Sequence, residues 1–270
     1  MFQFSTNGYA VVPSFLTESE VEALKNEMNR LLEEMDPDTT PKSVFQTGDN
    51  QDKRDRYFLD SSNKISFFYE SGVFSETGEL VVNKHEAINK VGHALHVLNP
   101  VFRRITFSDK LKDLARQLKF VEPYVVQGMY IFKQPKIGGV VSPHVDASFL
   151  YVDPIDNLIG FWFALEDATL ENGCLWFIPG SHKTTQLTYR FVRNRDSNAD
   201  QLLFKHQGKA PEEWKDADKY VPVPVKKGDL VLIHGLVVHK SEPNTSSKSR
   251  HAYTFHVVER LNTTWSKDNW

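Results

Sequence analysis

Apolar residues follow two different rhythms along this chain, helical spacing in the first part and short consecutive runs in the second. After a short lead-in, Thr17 and Glu20 fit a capping box, in which each side chain satisfies a backbone N–H at a helix start. Val21, Leu24, Met28, Leu31, Leu32 and Met35 then recur at helical intervals and predict one buried face, ended by Asp36-Pro37. Thr39 to Asp60, with Pro41 and Gly48, is polar and breaker-rich and reads as a loop. A second helix is predicted over His85–Leu98, with Ile88, Val91, Leu95 and Leu98 as its stripe and Asn99-Pro100 as its stop. A third follows Ser108 as N-cap, with Leu111, Leu114 and Leu118.

From about Tyr124, runs rich in Val, Ile, Phe, Tyr and Trp are broken by turn residues. Tyr124–Lys133, Phe149–Val152, Leu158–Glu166, Cys174–Ile178, Gly228–His234, Val237–Ser241 and Ala252–Val258 are predicted strands. Many short strands separated by turn signals indicate a barrel or a double-sheet jelly roll. Lys183 to Tyr220 is polar and irregular, and reads as a long surface insertion, either a lid or decoration. Helices precede strands and nothing resembles a linker. The expected architecture is therefore one domain over 1–270, mainly β, with a helical flank (1–120) on a β core (121–270).

Composition narrows the function classes. At 270 residues, with 40% hydrophobic and 25% charged residues, the chain has the profile of an ordinary globular protein. A net charge of -3 gives no electrostatic case for nucleic acid or an anionic membrane. Cys174 is the single cysteine, which rules out an intrachain disulfide and a thiolate metal cluster; its apolar neighbours predict a buried, inert thiol. Neither a secretory leader nor a spanning apolar run is apparent, and the terminal Lys267-Asp268-Asn269-Trp270 is not a peroxisomal address. A cytoplasmic monomer is expected.

Candidate chemistry starts from ten histidines. Only His144 is followed two residues on by Asp, and in an extended segment His144 and Asp146 project to the same side. His-x-Asp alone is weak, so a distant third ligand is needed. Two histidines and one carboxylate with open positions form the facial triad that holds Fe(II). His234, His239, His251 and His256 are the late candidates. A 2-oxoglutarate enzyme also needs a cation for the distal carboxylate, which arginine's planar fork suits. Of these late histidines only His239 has an arginine ten or eleven positions downstream, Arg250, so His144, Asp146 and His239 form the preferred set.

Ser142-Pro143-His144-Val145-Asp146, Glu171 through His182 (ENGCLWFIPGSH), His234 through Ser241 (HGLVVHKS) and Arg250 together resemble the phytanoyl-CoA dioxygenase family. The likeness runs from Gly8-Tyr9-Ala10-Val11-Val12 to Thr264-Trp265-Ser266. It implies a double-stranded β-helix that binds Fe(II) through His144, Asp146 and His239. It also implies 2-oxoglutarate contacts at Lys90, Met129, Trp162, Ser241 and Arg250. Four of these have ordinary structural readings as well: Lys90 as a solvated helix charge, Met129 as barrel filler, Trp162 as core and Ser241 as a turn cap. Val145, between two ligands, is expected to face away from the metal, and His182 to sit in a turn. His93 and His96 are expected on a helix as structural or pocket-lining residues.

The implied reaction consumes 2-oxoglutarate and O2, releases succinate and CO2, and hydroxylates a C–H bond of a small molecule or acyl derivative. The Asp146 carboxylate argues for hydroxylation, since Gly or Ala there would vacate a site for halide. The sequence carries no evident basic cluster for a CoA phosphate and does not specify the substrate. The alternative from another class is a metal-binding jelly-roll module without turnover. Thr39–Asp60 and Lys183–Tyr220 look too polar to form core, and at least one is expected to fold over the metal mouth.

Overall fold

A computed structural model describes residues 2–47, 55–195 and 203–270. Two antiparallel sheets form the jelly roll. The major sheet has seven strands in the order β1 (Tyr9–Val12), β12 (Leu230–His234), β7 (Leu158–Ala164), β14 (Ala252–Glu259), β4 (Pro123–Ile131), β3 (Ile88–His93) and β2 (Ile65–Tyr69). The minor sheet orders β11 (Val221–Val223), β8 (Leu175–Phe177), β13 (His239–Ser241) and β5 (Val141–His144). Two short ladders complete the set, β9 (Arg190–Arg193) with β10 (Phe204–Gln207) and β6 (Val152–Asp153) with β15 (Thr264–Trp265).

Strand alternation assigns the two faces of the major sheet. Phe161, Phe163, Tyr253 and Phe255 point outward into one apolar cluster with Val21, Leu24, Met28 and Leu32. Those four residues are the buried stripe of the helix Glu18–Glu34, whose Thr17–Glu20 capping box forms as expected. The intervening Trp162, Ala164, Val231, Ile233 and Ala252 point inward, against Leu175 and Phe177 of the minor sheet. Both faces of β7 and β14 are thus covered, which is why they read as unbroken apolar runs. The helix after Ser108 forms over Asp109–Gln117. Among the described residues, no helix is long and apolar enough to cross a membrane.

The predicted helix His85–Leu98 is corrected. Only Lys84–Ala87 and Leu95–Leu98 are helical, and Ile88–His93 is β3 between β2 and β4. Ile88 and Val91 pair with Tyr69 and Phe67 across a register shift that skips Asn89, and both join the outward apolar cluster, so a bulged strand reproduces the i, i+3 spacing that suggests a helix. Leu98, assigned to the buried stripe, is 54% exposed. Lys90 and His93 are accordingly strand residues, and His96 alone stays helical. The 1–120 flank also supplies β1, β2 and β3, so it is part of the β core as well as its helical cover. Phe149–Val152 is not one strand: a 3-10 turn covers Asp146–Ser148, and β6 begins only at Val152.

The two polar segments do contribute core. Within Lys183–Tyr220, Phe191 of β9 and Phe204 of β10 stack with centroids 5.1 Å apart and join Phe58, Leu59 and Phe68 in a buried cluster. Trp214 is buried too, with its carbonyl accepting a hydrogen bond from the Tyr220 hydroxyl at 2.7 Å. In Thr39–Asp60, Asp55 caps a short helix, Arg56–Leu59, that buries Phe58; Gly48 lies outside the described residues. A few large aromatics were enough to anchor otherwise polar stretches. Phe204→Ala is expected to lower unfolding free energy by about 3–5 kcal/mol, the usual cost of emptying a buried phenylalanine site. Urea denaturation checks this, and an unchanged midpoint would show the hairpin to be ornamental.

Candidate metal centre

His144 ends β5 and His239 opens β13, and the two are direct cross-strand partners. Their rings lie 4.2 Å apart. Asp146 follows β5 at the start of the 3-10 turn, and its Oδ1 lies 3.8 Å from His144 Nε2 and 3.7 Å from His239 Nε2. One donor atom from each residue falls within 4.8 Å of the others. Adjacent donors each about 2 Å from one ion lie about 3 Å apart, so the three side chains would close inward on binding.

Both histidine rings are oriented to offer Nε2. His144 Nδ1 lies 2.8 Å from the Ser142 carbonyl and His239 Nδ1 lies 3.0 Å from the Val237 carbonyl. A carbonyl can only accept, so each Nδ1 carries the proton and each Nε2 presents its lone pair to the shared point. Burial, then the neighbouring His239, lowers the His144 pKa to about 4, so its ring is uncharged at neutral pH. Burial opposes ionisation of Asp146, but His256, His239 and His144 together hold its carboxyl well below the usual range.

His256 of β14 faces Asp146 Oδ2 at 3.2 Å, and its Nδ1 lies 3.2 Å from the Gln127 amide nitrogen. The amide donates to Nδ1, which leaves the proton on Nε2, close to an Oδ2 that finds no well-aligned hydrogen bond among the described residues. Gly160 makes the space, since a Cβ there would sit 3.1 Å from Asp146 Oδ2. Sequence reasoning weighed His256 only as a ligand and missed Gly160 and Gln127. A glycine within the apolar run Leu158–Ala164 was the available signal, as it marks a close approach. Tyr9 and Phe177 stack at 4.2 Å, and Phe177 in turn lies against His239 at 5.6 Å, which fixes that ring from behind. Val145 turns away from the site into a buried cluster with Leu150, Trp214 and Val238, and His182 sits in a 3-10 turn, both as expected. Cys174 is a buried free thiol whose pKa is raised by burial.

The residues expected to contact 2-oxoglutarate fall on the same inner face. Met129, Thr254 and Trp162 are register partners across β4, β14 and β7. Arg250, just before β14, is 2% exposed, and its guanidinium carbon lies 5.1 Å over the Trp162 ring. Its Nε and Nη1 are buried with no hydrogen-bond partner among the described residues. Burial lowers its pKa to about 10, so it remains a cation at neutral pH. A buried cation with free donors is costly unless an anion joins it, and a carboxylate would supply the missing acceptor. Ser241 is buried with its hydroxyl donating to the Gly173 carbonyl at 3.0 Å. Lys90 Nζ lies 3.7 Å from Met129 Sδ and 3.5 Å from the centre of the Phe45 ring. It is buried on a strand, which removes its reading as a solvated helix charge.

A double-stranded β-helix carrying two histidines and one carboxylate on its inner face is the framework of a mononuclear metal enzyme. The family described as phytanoyl-CoA dioxygenase (PhyH) matches residues 4–252. The chain belongs to that family. Phytanoyl-CoA dioxygenase domain-containing protein 1 homolog of Caenorhabditis elegans is 52% identical over 271 residues, covering 99% of this chain and 93% of the relative. The Bos taurus phytanoyl-CoA dioxygenase domain-containing protein 1 is 47% identical, covering 99% and 92%. Among solved structures, the epimerase SnoN in complex with Fe3+, alpha ketoglutarate and nogalamycin RO aligns with a TM-score of 0.65 at 19% identity, covering 100% of this chain and 85% of its own. EctD from S. alaskensis with bound Fe gives 0.62 at 19%, covering 95% and 74%. Those two likenesses establish the fold.

Removing the His256 ring should leave Asp146 Oδ2 free to rotate. His256→Ala is expected to weaken Mn(II) or Fe(II) binding by about 10–100-fold, the usual cost of losing a group that orients a ligand. Gly160→Ala should do the same by crowding the carboxylate. Titration calorimetry with Mn(II) under anaerobic conditions reads both, and full affinity in both variants would remove His256 and Gly160 from the site.

Proposed function

We propose that the protein is an Fe(II)- and 2-oxoglutarate-dependent dioxygenase that hydroxylates a C–H bond of a small molecule or acyl derivative. The unpaired Arg250 guanidinium, buried on the inner face that also receives Asp146, carries this reading. A metal-storing jelly roll without turnover would have no need of such a cation. The SnoN and EctD structures, with iron or 2-oxoglutarate bound on the same fold, support the pairing of cofactors.

Iron and 2-oxoglutarate, when bound, supply the oxidative decarboxylation that activates O2, with release of succinate and CO2. The chain's own residues arrange the reactants. His144, Asp146 and His239 would hold the metal, a two-histidine, one-carboxylate set that leaves positions open for cosubstrate and O2. Arg250 would pair with the distal carboxylate, with the Trp162 ring beneath it excluding water. Ser241 would join that contact by turning its hydroxyl away from the Gly173 carbonyl, while Lys90 and Met129 would close the far wall. His256 keeps one Asp146 oxygen turned to the metal. The 183–220 insertion supports the mouth, since β9 packs on the Asp146–Ser148 turn and the 212–215 turn packs on β5. We assign substrate selection to this region.

Succinate release after anaerobic Fe(II) loading, with and without candidate substrates, tests the reaction class. Arg250→Ala is expected to raise the 2-oxoglutarate KM roughly 30- to 900-fold, equivalent to about 2–4 kcal/mol for a buried charge-assisted pair. Arg250→Lys should recover only part of it, lacking the planar fork. A KM unchanged in Arg250→Ala would mean that another group anchors the cosubstrate.

A further inference from the structure

A second buried cation stands beside Arg250. Lys133 follows β4 with φ 41, in the left-handed region, and is 3% exposed. Its carbonyl accepts the Arg250 backbone N–H at 3.2 Å and the Asn244 side-chain amide at 2.9 Å. Its aliphatic stem passes Gly173 so closely that a Cβ there would meet Lys133 Cε at 2.3 Å. This is the same Gly173 whose carbonyl holds the Ser241 hydroxyl. Lys133, Ser241 and Arg250 therefore converge on one turn.

The ammonium ends on the Gly139 carbonyl at 2.8 Å, which uses one of its three N–H donors. Glu70, buried at the end of β2, accepts the Gly139 backbone N–H. Gly139 is thus held on its N–H side by Glu70 and on its carbonyl side by Lys133, five residues before His144. The ionisable groups facing Lys133 are Arg250, Glu70, Glu242 and the Cys174 thiol. Burial, followed by repulsion from Arg250, brings the Lys133 amine down to about 7, against the attraction of Glu70, Glu242 and Cys174. It is therefore poised to gain or lose its proton near neutrality.

We propose that Lys133 is a second cation of the anion pocket, positioned by Glu70 and Gly139, and that cosubstrate binding is coupled to proton uptake by its amine. The inference rests on the reading of Arg250 as the carboxylate anchor. An incoming carboxylate neutralises the repulsion from Arg250 and adds attraction of its own, so the ammonium form becomes favoured and a proton is taken from solvent. Affinity is highest where Lys133 is already protonated and falls as pH rises through its free-state value.

Calorimetric titration of 2-oxoglutarate into the Mn(II)-loaded full chain, in buffers of different ionisation enthalpy, counts the protons. The wild-type protein should take up a proton fraction approaching one near pH 8, and its Kd should rise on the order of tenfold between about pH 6.5 and 8.5. Lys133→Met should bind more weakly at the lower pH, show a flat profile and take up no proton. Glu70→Gln retains an acceptor for Gly139 but removes a charge that favours the ammonium, so uptake should shift to lower pH. Thermal melts establish that the variants fold. If Lys133→Met does not, the wild-type proton count and its displacement in Glu70→Gln decide. A folded Lys133→Met with wild-type uptake overturns the proposal and leaves the Arg250 reading standing. Failure of the wild-type protein to bind 2-oxoglutarate, or undiminished binding by Arg250→Ala, overturns both.

Discussion

The Asp146 carboxylate is where the two sheets are tied together. One oxygen faces His144 and His239, which belong to the minor sheet, and the other faces His256 of the major sheet. Each of these contacts depends on a further one. The histidines are set by carbonyls two residues upstream, His256 by Gln127, and the space itself by Gly160. A buried carboxylate in this position opposes folding unless positive or polar groups surround it, so sheet packing and ligand geometry are selected together.

A second electrostatic demand lies deeper between the sheets. Arg250 and Lys133 are both buried; Glu166 and Glu70 attract Arg250, and Glu70 and Glu242 attract Lys133. The Arg250 Nε and Nη1 still find no hydrogen-bond acceptor among the described residues, and the Trp162 ring covers one face of the guanidinium. The apolar clusters outside both sheets give these charged groups a rigid wall, since the helix Glu18–Glu34 seals the back of the major sheet.

The grouping of His144, Asp146 and His239 was legible in the sequence because it follows from local geometry and from one long-range coincidence. His144 and Asp146 share a side through strand alternation, and His239 was preferred over three other histidines by its spacing to Arg250. The late strands were legible for a related reason: β7 and β14 are covered on both faces, so their residues are apolar throughout. The opposite applied to β3. There Ile88, Val91 and Leu95 satisfied helical spacing, and pairing with β2 and β4 overrode it. That pairing moved Lys90 from a presumed surface to a buried position against Phe45. The insertion 183–220 was misjudged as free of core because its polar average concealed Phe191, Phe204 and Trp214.

What the sequence by itself determined was therefore the class of fold, and it singled out the candidate set His144, Asp146 and His239 that the fold brings together, with Arg250 as its proposed companion. All rest on periodicity, residue chemistry and spacing, which are properties of the chain in one dimension. Only the tertiary structure decided which groups surround them. His256, Gly160, and Gln127 with Lys133 come from three separated stretches, and apart from the glycine within an apolar run nothing local distinguishes them from core or surface residues. Their roles arise when antiparallel register sets His256 beside Gly160 and Gln127, and when the turn at Gly173 brings Lys133 alongside Arg250. Contact between distant residues is fixed by sheet pairing and close packing, and these depend on the whole chain at once.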